Sequence, residues 1–288
     1  MSDVSEDAAS VRTLITGLVF IEIIWWLGSG MVYAAIYSGV FGFGTAATSI
    51  ISLLGTVVMW VAVAMAMRWF QDRHWMVLVR PISRAVQDFG AVLKLSGGLM
   101  LGLSLWSVLP FVADAAYTRP LWQWLLILPF ALIATFVQTT AEEIYFRGFL
   151  QSTLAARFKS PIMWAVLPSV GFGLLHVFNA NTAPEMLQTV VYTSIFGFFA
   201  ADLTARTGTL GAAIAFHFVH NAVLFCVYGF EDSPEAPLAL WVFAPFEGYR
   251  GASGAPAGIL DPTMILDTLY LLATLTLIWL AARVAIRR

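Results

Sequence analysis

Residues 121–145 read LWQWLLILPFALIATFVQTTAEEIY. No charge interrupts this run before Glu142, and a membrane-spanning helix needs about 20 mostly apolar residues. The stretch therefore reads as a span that ends on two adjacent carboxylates. Working outward with the same window gives further segments at 14–38, 43–67, 91–113, 161–179, 186–204, 209–229 and 263–283. The composition agrees: of 288 residues, 60% are hydrophobic and 11% charged, against roughly a quarter charged in a soluble domain. The expected fold is all-α, a polytopic integral membrane helical bundle of about eight transmembrane helices, with residues 1–288 forming a single membrane domain.

Lys and Arg collect on the cytoplasmic side of such a bundle. With both termini inside, thirteen of the fifteen basic residues fall on that side, leaving Arg119 and Arg250 outside. The expectation is an integral plasma (inner) membrane protein with both termini cytoplasmic. The acidic opening MSDVSED, with no cleavage-like site after the first apolar run, argues against secretory processing. A net charge of −2 offers no basic footprint, so nucleic acid is not an expected partner. The single cysteine, Cys226, excludes an intrachain disulfide and a cysteine-based zinc site, and reads as a small buried residue.

The stretch from Arg68 to Phe89 mixes apolar and basic residues and is expected to lie at the interface as an amphipathic segment. The Gly/Pro-rich stretch from Phe230 to Pro262 is the longest expected loop. Gly98-x-x-x-Gly102 and the group Gly39, Gly42, Gly44 are expected at close helix contacts. Trp25, Trp26, Trp60, Trp122, Trp124 and Trp241 mostly sit near span ends and read as interfacial anchors.

Ionisable groups inside a bilayer are costly, so each is a functional candidate. They are Glu22, Glu142, Glu143, Arg147, His176, Asp202, His217, His220 and Asp267, concentrated between Glu142 and His220. Glu143 and Arg147 stand four apart on a helix and can pair. Glu142 is turned about 100° from Glu143 and can point elsewhere. The plainer reading is a salt bridge with one spare acid. Phe172 and His176 share a helix face, although a lone intramembrane His is as often a packing residue. His217 and Asn221 project from one face and can address a single oxygen atom. His220, about 60° away, is either a supporting neighbour or merely packed. Asp202 is expected to pair with Arg206, and Asp267 to face the external loop. Glu22, in mid-span, reads as a buried protonated acid, a partner of the site, or part of a polar passage.

A carboxylate on one helix, a His on a second and a His with an Asn on a third suit hydrolysis of an amide. The carboxylate can take a proton from water, a His can orient that water, and His/Asn donors can stabilise an oxyanion. The same Glu142, His176 and His217 could instead hold zinc, although the His-Glu-x-x-His motif is absent. Two other classes use the same inventory. A proton-coupled carrier would relay protons through the buried Glu and His, but no matching pair of broken segments appears. A noncatalytic immunity or scaffolding membrane protein would have no need of the complete set of positions.

In this order, Glu142-Glu143-x-x-x-Arg147, Phe172-x-x-x-His176 and His217-x-x-x-Asn221 resemble the motifs of the CPBP family. These are the CAAX-protease and bacteriocin-processing intramembrane endopeptidases, related to the type II CAAX prenyl endopeptidase. The resemblance covers residues 121–230, the expected catalytic core. It implies that Glu142 activates water together with His176, that His217 and Asn221 form the oxyanion site, and that Glu143 with Arg147 supports the first helix. It also implies the lipid bilayer and a peptide or membrane-protein substrate as partners. Both zinc-dependent and glutamate-dependent chemistry fit the resemblance. The metal-free form is favoured, because Asn221 beside one firm carboxylate suits oxyanion binding; zinc on Glu142, His176 and His217 is the alternative.

As drawn, the depths conflict. Glu142 lies about 30 Å along its helix from Leu121, near the cytoplasmic side, and His176 about 22 Å from Pro161, toward the opposite one. Either the second helix bends at Pro168, or Pro161 begins inside a re-entrant segment, or Glu142 lies deeper than its span suggests.

Overall fold

The computed structural model describes residues 11–38, 42–180, 182–245 and 258–287. The fold is a helical membrane bundle. Helix α1 is Val11–Tyr37; α2 (Thr45–Gly55) and α3 (Val57–Phe70) form one span interrupted at Thr56; α4 is Ile82–Val108. Helix α5 (Leu121–Glu143) runs on through a π-helical stretch, Ile144–Gln151, into α6 (Ser152–Arg157). A second π-helical stretch, Ile162–Val166, leads into α7 (Leu167–Leu175). Then follow α8 (Ala183–Thr207), α9 (Gly211–Cys226) and α10 (Pro262–Ala285).

Among the described residues, seven helical elements are long and apolar enough to cross a membrane. Helix α9, in the segment expected at 209–229, is shorter: 16 residues, or about 24 Å, against a hydrocarbon core of about 30 Å. It nevertheless runs from the start of α4, where Gly211 meets Ala85, to the start of α5, where Cys226 meets Trp124, and it is buried among its neighbours, packing chiefly on α4 and α5.

Local chemistry sets several boundaries. Thr182 and Glu185 form a reciprocal capping box at the start of α8, with Pro184 in its first turn. The same helix ends at Gly208, whose φ of 69° only glycine adopts without strain, and whose N–H returns to the Thr204 carbonyl at 2.9 Å. Asp261 caps α10 by accepting from the Thr263 N–H at 2.9 Å. A small sheet lies where α5 begins and α9 ends: β1 (Tyr117–Thr118) and β2 (Tyr228–Phe230) flank β3 (Trp241–Phe243). Val242 stands opposite Tyr117 in the antiparallel pair and Gly229 in the parallel one. The Trp124 indole N–H bonds the Cys226 carbonyl at 2.7 Å, tying α5 to the end of α9. Cys226 itself is buried.

Three expectations need correction. The stretch Arg68–Phe89 is not one amphipathic segment: α3 continues to Phe70, a 3-10 turn covers Trp75–Leu78, and α4 starts at Ile82. Asp88, in the first turns of α4, is buried and accepts from the Thr209 hydroxyl at 3.0 Å, while Ile82, Arg84 and Val86 beside it are exposed. Helical structure also continues past Tyr145, because Arg147 is buried and paired rather than placed at a boundary. Finally, a Cβ at Gly98, Gly102, Gly42 or Gly44 would meet no neighbour within 4 Å, whereas one at Gly211 would stand 1.9 Å from the Ala85 carbonyl oxygen and one at Gly173 2.7 Å from that of Val190. Close helix contact is therefore at α9–α4 and α7–α8. Gly39 lies outside the described residues.

Candidate active site

The conflict of depth disappears once helix α5 is seen to continue. Arg157 ends α6, and a short turn leads to Pro161 and the α7 element. Counting from that turn, Glu142 lies fifteen residues back from Arg157 and His176 fifteen forward from Pro161. Both are therefore about 22 Å from the same turn. Glu142 lies deeper than its apolar run suggested, and no bend at Pro168 is needed. The π-helical stretch starts directly after Glu143, a placement common beside functional residues.

Glu143 is fully buried. Its Oε1 accepts from the Arg147 guanidinium at 3.1 Å and faces His217 Nδ1 at 2.8 Å. Arg147 in turn donates to the Gly197 carbonyl at 3.1 Å and lies over the Phe172 ring at 4.9 Å. A Cβ at position 197 would stand 3.2 Å from that guanidinium, which explains glycine there. The expected Glu143–Arg147 pair is present, and it does more than support its own helix: it fixes the His217 ring on α9.

With Nδ1 committed to a carboxylate, His217 turns Nε2 to the other side. There it meets Asn221 Nδ2 at 3.3 Å and Glu142 Oε2 at 3.7 Å. That Glu142 oxygen is buried and has no hydrogen-bond partner among the described residues. Glu142, His217 and Asn221 thus converge on one point. Its other oxygen accepts from Gln138 Nε2, and Gln138 Oε1 accepts from Asn221 Nδ2 at 3.0 Å.

His176 stands one ring away. Its Nδ1 bonds the Phe172 carbonyl at 2.7 Å, leaving Nε2 as the atom able to address the centre. The Phe172 ring packs against His176 at 4.5 Å and His217 at 5.9 Å between centroids. His220 is buried, with Nδ1 3.0 Å from Asn221 Oδ1 and Nε2 2.7 Å from the Tyr192 hydroxyl.

The zinc alternative can be tested on the donors. Among the described residues no group of three or more His, Cys, Asp or Glu is gathered as a metal site. The His217 nitrogen a metal would need is met by the Asn221 amide N–H at 3.3 Å and stands 3.7 Å from Glu142 Oε2.

The remaining charged candidates have partners of their own. Glu22 accepts from the Tyr145 hydroxyl at 2.6 Å, joining α1 to the π-helical stretch. Asp202 pairs with Arg206 at 2.8 Å as expected, and also accepts from Trp279 at 3.1 Å. Asp267 accepts from Gln188 of α8 at 3.0 Å; residues 246–257 of the external loop it was expected to face lie outside the described residues.

Gln138 and Tyr192 were missed by a search restricted to ionisable side chains. The first carried a usable signal: it stands four residues before Glu142, on the same helix face. Tyr192 carried none, being one aromatic among many.

Fold and site together define an integral membrane helical bundle with a buried Glu/His/Asn centre. Residues 121–223 match the family model for Type II CAAX prenyl endopeptidase Rce1-like proteins. That range contains Glu142, Glu143, Arg147, His176, His217 and Asn221, so the resemblance read from the three motifs is borne out. The chain is also 34% identical over 106 residues to the uncharacterized protein YyaK of Bacillus subtilis (strain 168). That similarity spans 35% of this chain and 34% of the relative, so about a third of each is covered. No solved structure matches.

Proposed function

We propose that this protein is an intramembrane endopeptidase that hydrolyses a peptide bond at or within the membrane, with Glu142 as the base and no metal. The observation that carries the reading is the convergence of Glu142 Oε2, His217 Nε2 and Asn221 Nδ2 at 3.7 and 3.3 Å around His217. The family match over residues 121–223 supports it.

In this reading, water bound between Glu142 and His176 attacks the scissile carbonyl carbon while Glu142 Oε2 takes its proton. The carbonyl π electrons move to oxygen, and the oxyanion forms beside the His217 ring and takes over the Asn221 N–H that otherwise rests on His217 Nε2 at 3.3 Å. Collapse breaks the C–N bond, and Glu142 returns the proton to the departing amine. Glu143 and Arg147 keep the His217 ring in place throughout. The catalytic core is assigned to residues 121–230, the substrate class to peptides or membrane-protein segments, and the location to a plasma (inner) membrane with both termini cytoplasmic.

The test is cleavage of a quenched-fluorescent membrane-peptide library by the purified full chain reconstituted in lipid vesicles. Cleavage by the unaltered protein and none by Glu142→Ala is expected. No cleavage by either, or equal cleavage by both, would remove the assignment.

A further inference from the structure

We infer that Tyr192, His220 and Gln138 are positioning residues, linked in a one-way hydrogen-bond chain that holds the Asn221 amide with its N–H2 group toward the reaction point. The role of that amide, and the ionised state of Glu142, rest on the endopeptidase reading above; the direction of the chain can be observed independently of any activity.

An ionised carboxylate only accepts, so Gln138 must turn Nε2 toward Glu142. Its Oε1 then faces the other way and accepts from Asn221 Nδ2 at 3.0 Å. With its N–H2 group committed to that side, Asn221 presents Oδ1 to His220 Nδ1 at 3.0 Å, which must therefore carry the ring proton. His220 Nε2 is left as an acceptor, and the Tyr192 hydroxyl donates to it across 2.7 Å. The chain runs from Tyr192 on α8 through His220 and Asn221 on α9 to Gln138 on α5.

A second line of constraint arrives from the opposite side and agrees. The Glu143 carboxylate accepts from His217 Nδ1–H at 2.8 Å, leaving Nε2 to accept the remaining Asn221 amide proton at 3.3 Å, the long contact that an oxyanion would displace. Two carboxylates thus impose the same amide orientation through neutral intermediates. The Phe196 ring packs on both imidazoles, with centroids 4.9 Å from His217 and 5.1 Å from His220, holding the ring planes. A reversed Asn221 amide would aim its carbonyl oxygen at a developing oxyanion and break both lines at once.

The decisive measurement is nitrogen NMR of the full chain labelled with 15N-histidine in detergent micelles. The four histidines are assigned by single substitutions. His220 is expected as the tautomer protonated on Nδ1, with Nε2 bare, and Tyr192→Phe should populate the Nε2-protonated form. A proton on Nε2 of His220 in the unaltered protein would overturn the chain, whether or not any peptide is cleaved. The kinetic arm uses the best peptide from the library. Tyr192→Phe should lower kcat by about tenfold with KM within about twofold, because the bound substrate is unaffected while the oxyanion donor is no longer held. An unchanged kcat beside an altered tautomer would overturn the positioning role. Absence of cleavage by the unaltered protein counts against the endopeptidase reading, while the tautomer still decides the chain.

Discussion

Glu143 and His217 are joined across α5 and α9 by a 2.8 Å contact between Oε1 and Nδ1, and the same carboxylate oxygen receives Arg147 at 3.1 Å. Both side chains and the guanidinium are almost entirely removed from solvent. The adjacent Glu142 is differently placed: its side chain keeps 16% exposure, and one of its oxygens has no partner among the described residues. Two neighbouring carboxylates thus have separate work, one holding the site together and one available for a proton.

This division predicts opposite behaviour for matched substitutions. Glu143→Ala leaves a buried guanidinium without its counter-charge, a loss of about 3–5 kcal/mol in buried pairs. Thermal unfolding of the purified variant should show a clear drop in midpoint. Glu142→Gln should unfold like the unaltered protein yet cleave nothing, since an amide can still meet Gln138 but cannot take a proton from water. Equal stability of the two variants would contradict the assignment.

The glycine contacts give a second pair. Gly211→Ala forces a methyl group onto the Ala85 carbonyl, 1.9 Å away. It should destabilise by about 1–3 kcal/mol, as overpacking does, and shift the helix that carries His217 and Asn221. Gly98→Ala and Gly102→Ala meet nothing within 4 Å and should stay within about 0.5 kcal/mol of the unaltered protein. Unfolding midpoints of the three variants check this ordering.

What the sequence made legible followed from periodicity and charge. The apolar runs located the helices, and i, i+4 spacing located Glu143–Arg147 and Asp202–Arg206, both present at 3.1 and 2.8 Å. His217 and Asn221 share a face, with a 3.3 Å contact between them. The failures share a cause: hydropathy takes a charged residue as the end of a span. Asp88 and Arg147 are charged and buried, so α4 starts earlier and helical structure after α5 ends later than their apolar runs. That error also produced the apparent mismatch between Glu142 and His176. The sharing of His217 between two carboxylates was not legible, because it depends on how α9 rotates against α5. Hydrogen bonds made by the neutral Gln138 and Tyr192 leave no trace in a count of charges.

Orientation gives a third prediction. Between Gly229 and the end of the chain the described residues contain a single span-length helix, α10. Reporter fusions after Gly229 and after Arg288 should therefore fall on opposite sides of the membrane. From the basic asymmetry, the second reporter is expected in the cytoplasm. Reporters on the same side, or the reverse assignment, would refute this topology.

The last prediction concerns Asn221 and metal together. If Asn221 donates to the oxyanion, Asn221→Ala should cut kcat by about 100-fold or more, since one such donor is worth roughly 3 kcal/mol. KM should change little, because the bond tightens only as charge develops on the carbonyl oxygen. The same enzyme should keep its activity in 1,10-phenanthroline, because His217 Nε2 faces an amide N–H at 3.3 Å. A zinc-dependent site would respond in the opposite way. There Glu142, His176 and His217 would have to close around the ion, chelation would abolish cleavage, and added zinc would restore it. Metal analysis of active protein, run beside the Asn221→Ala kinetics, separates the two: stoichiometric zinc that leaves and returns with activity would overturn the metal-free mechanism, whatever Asn221→Ala costs.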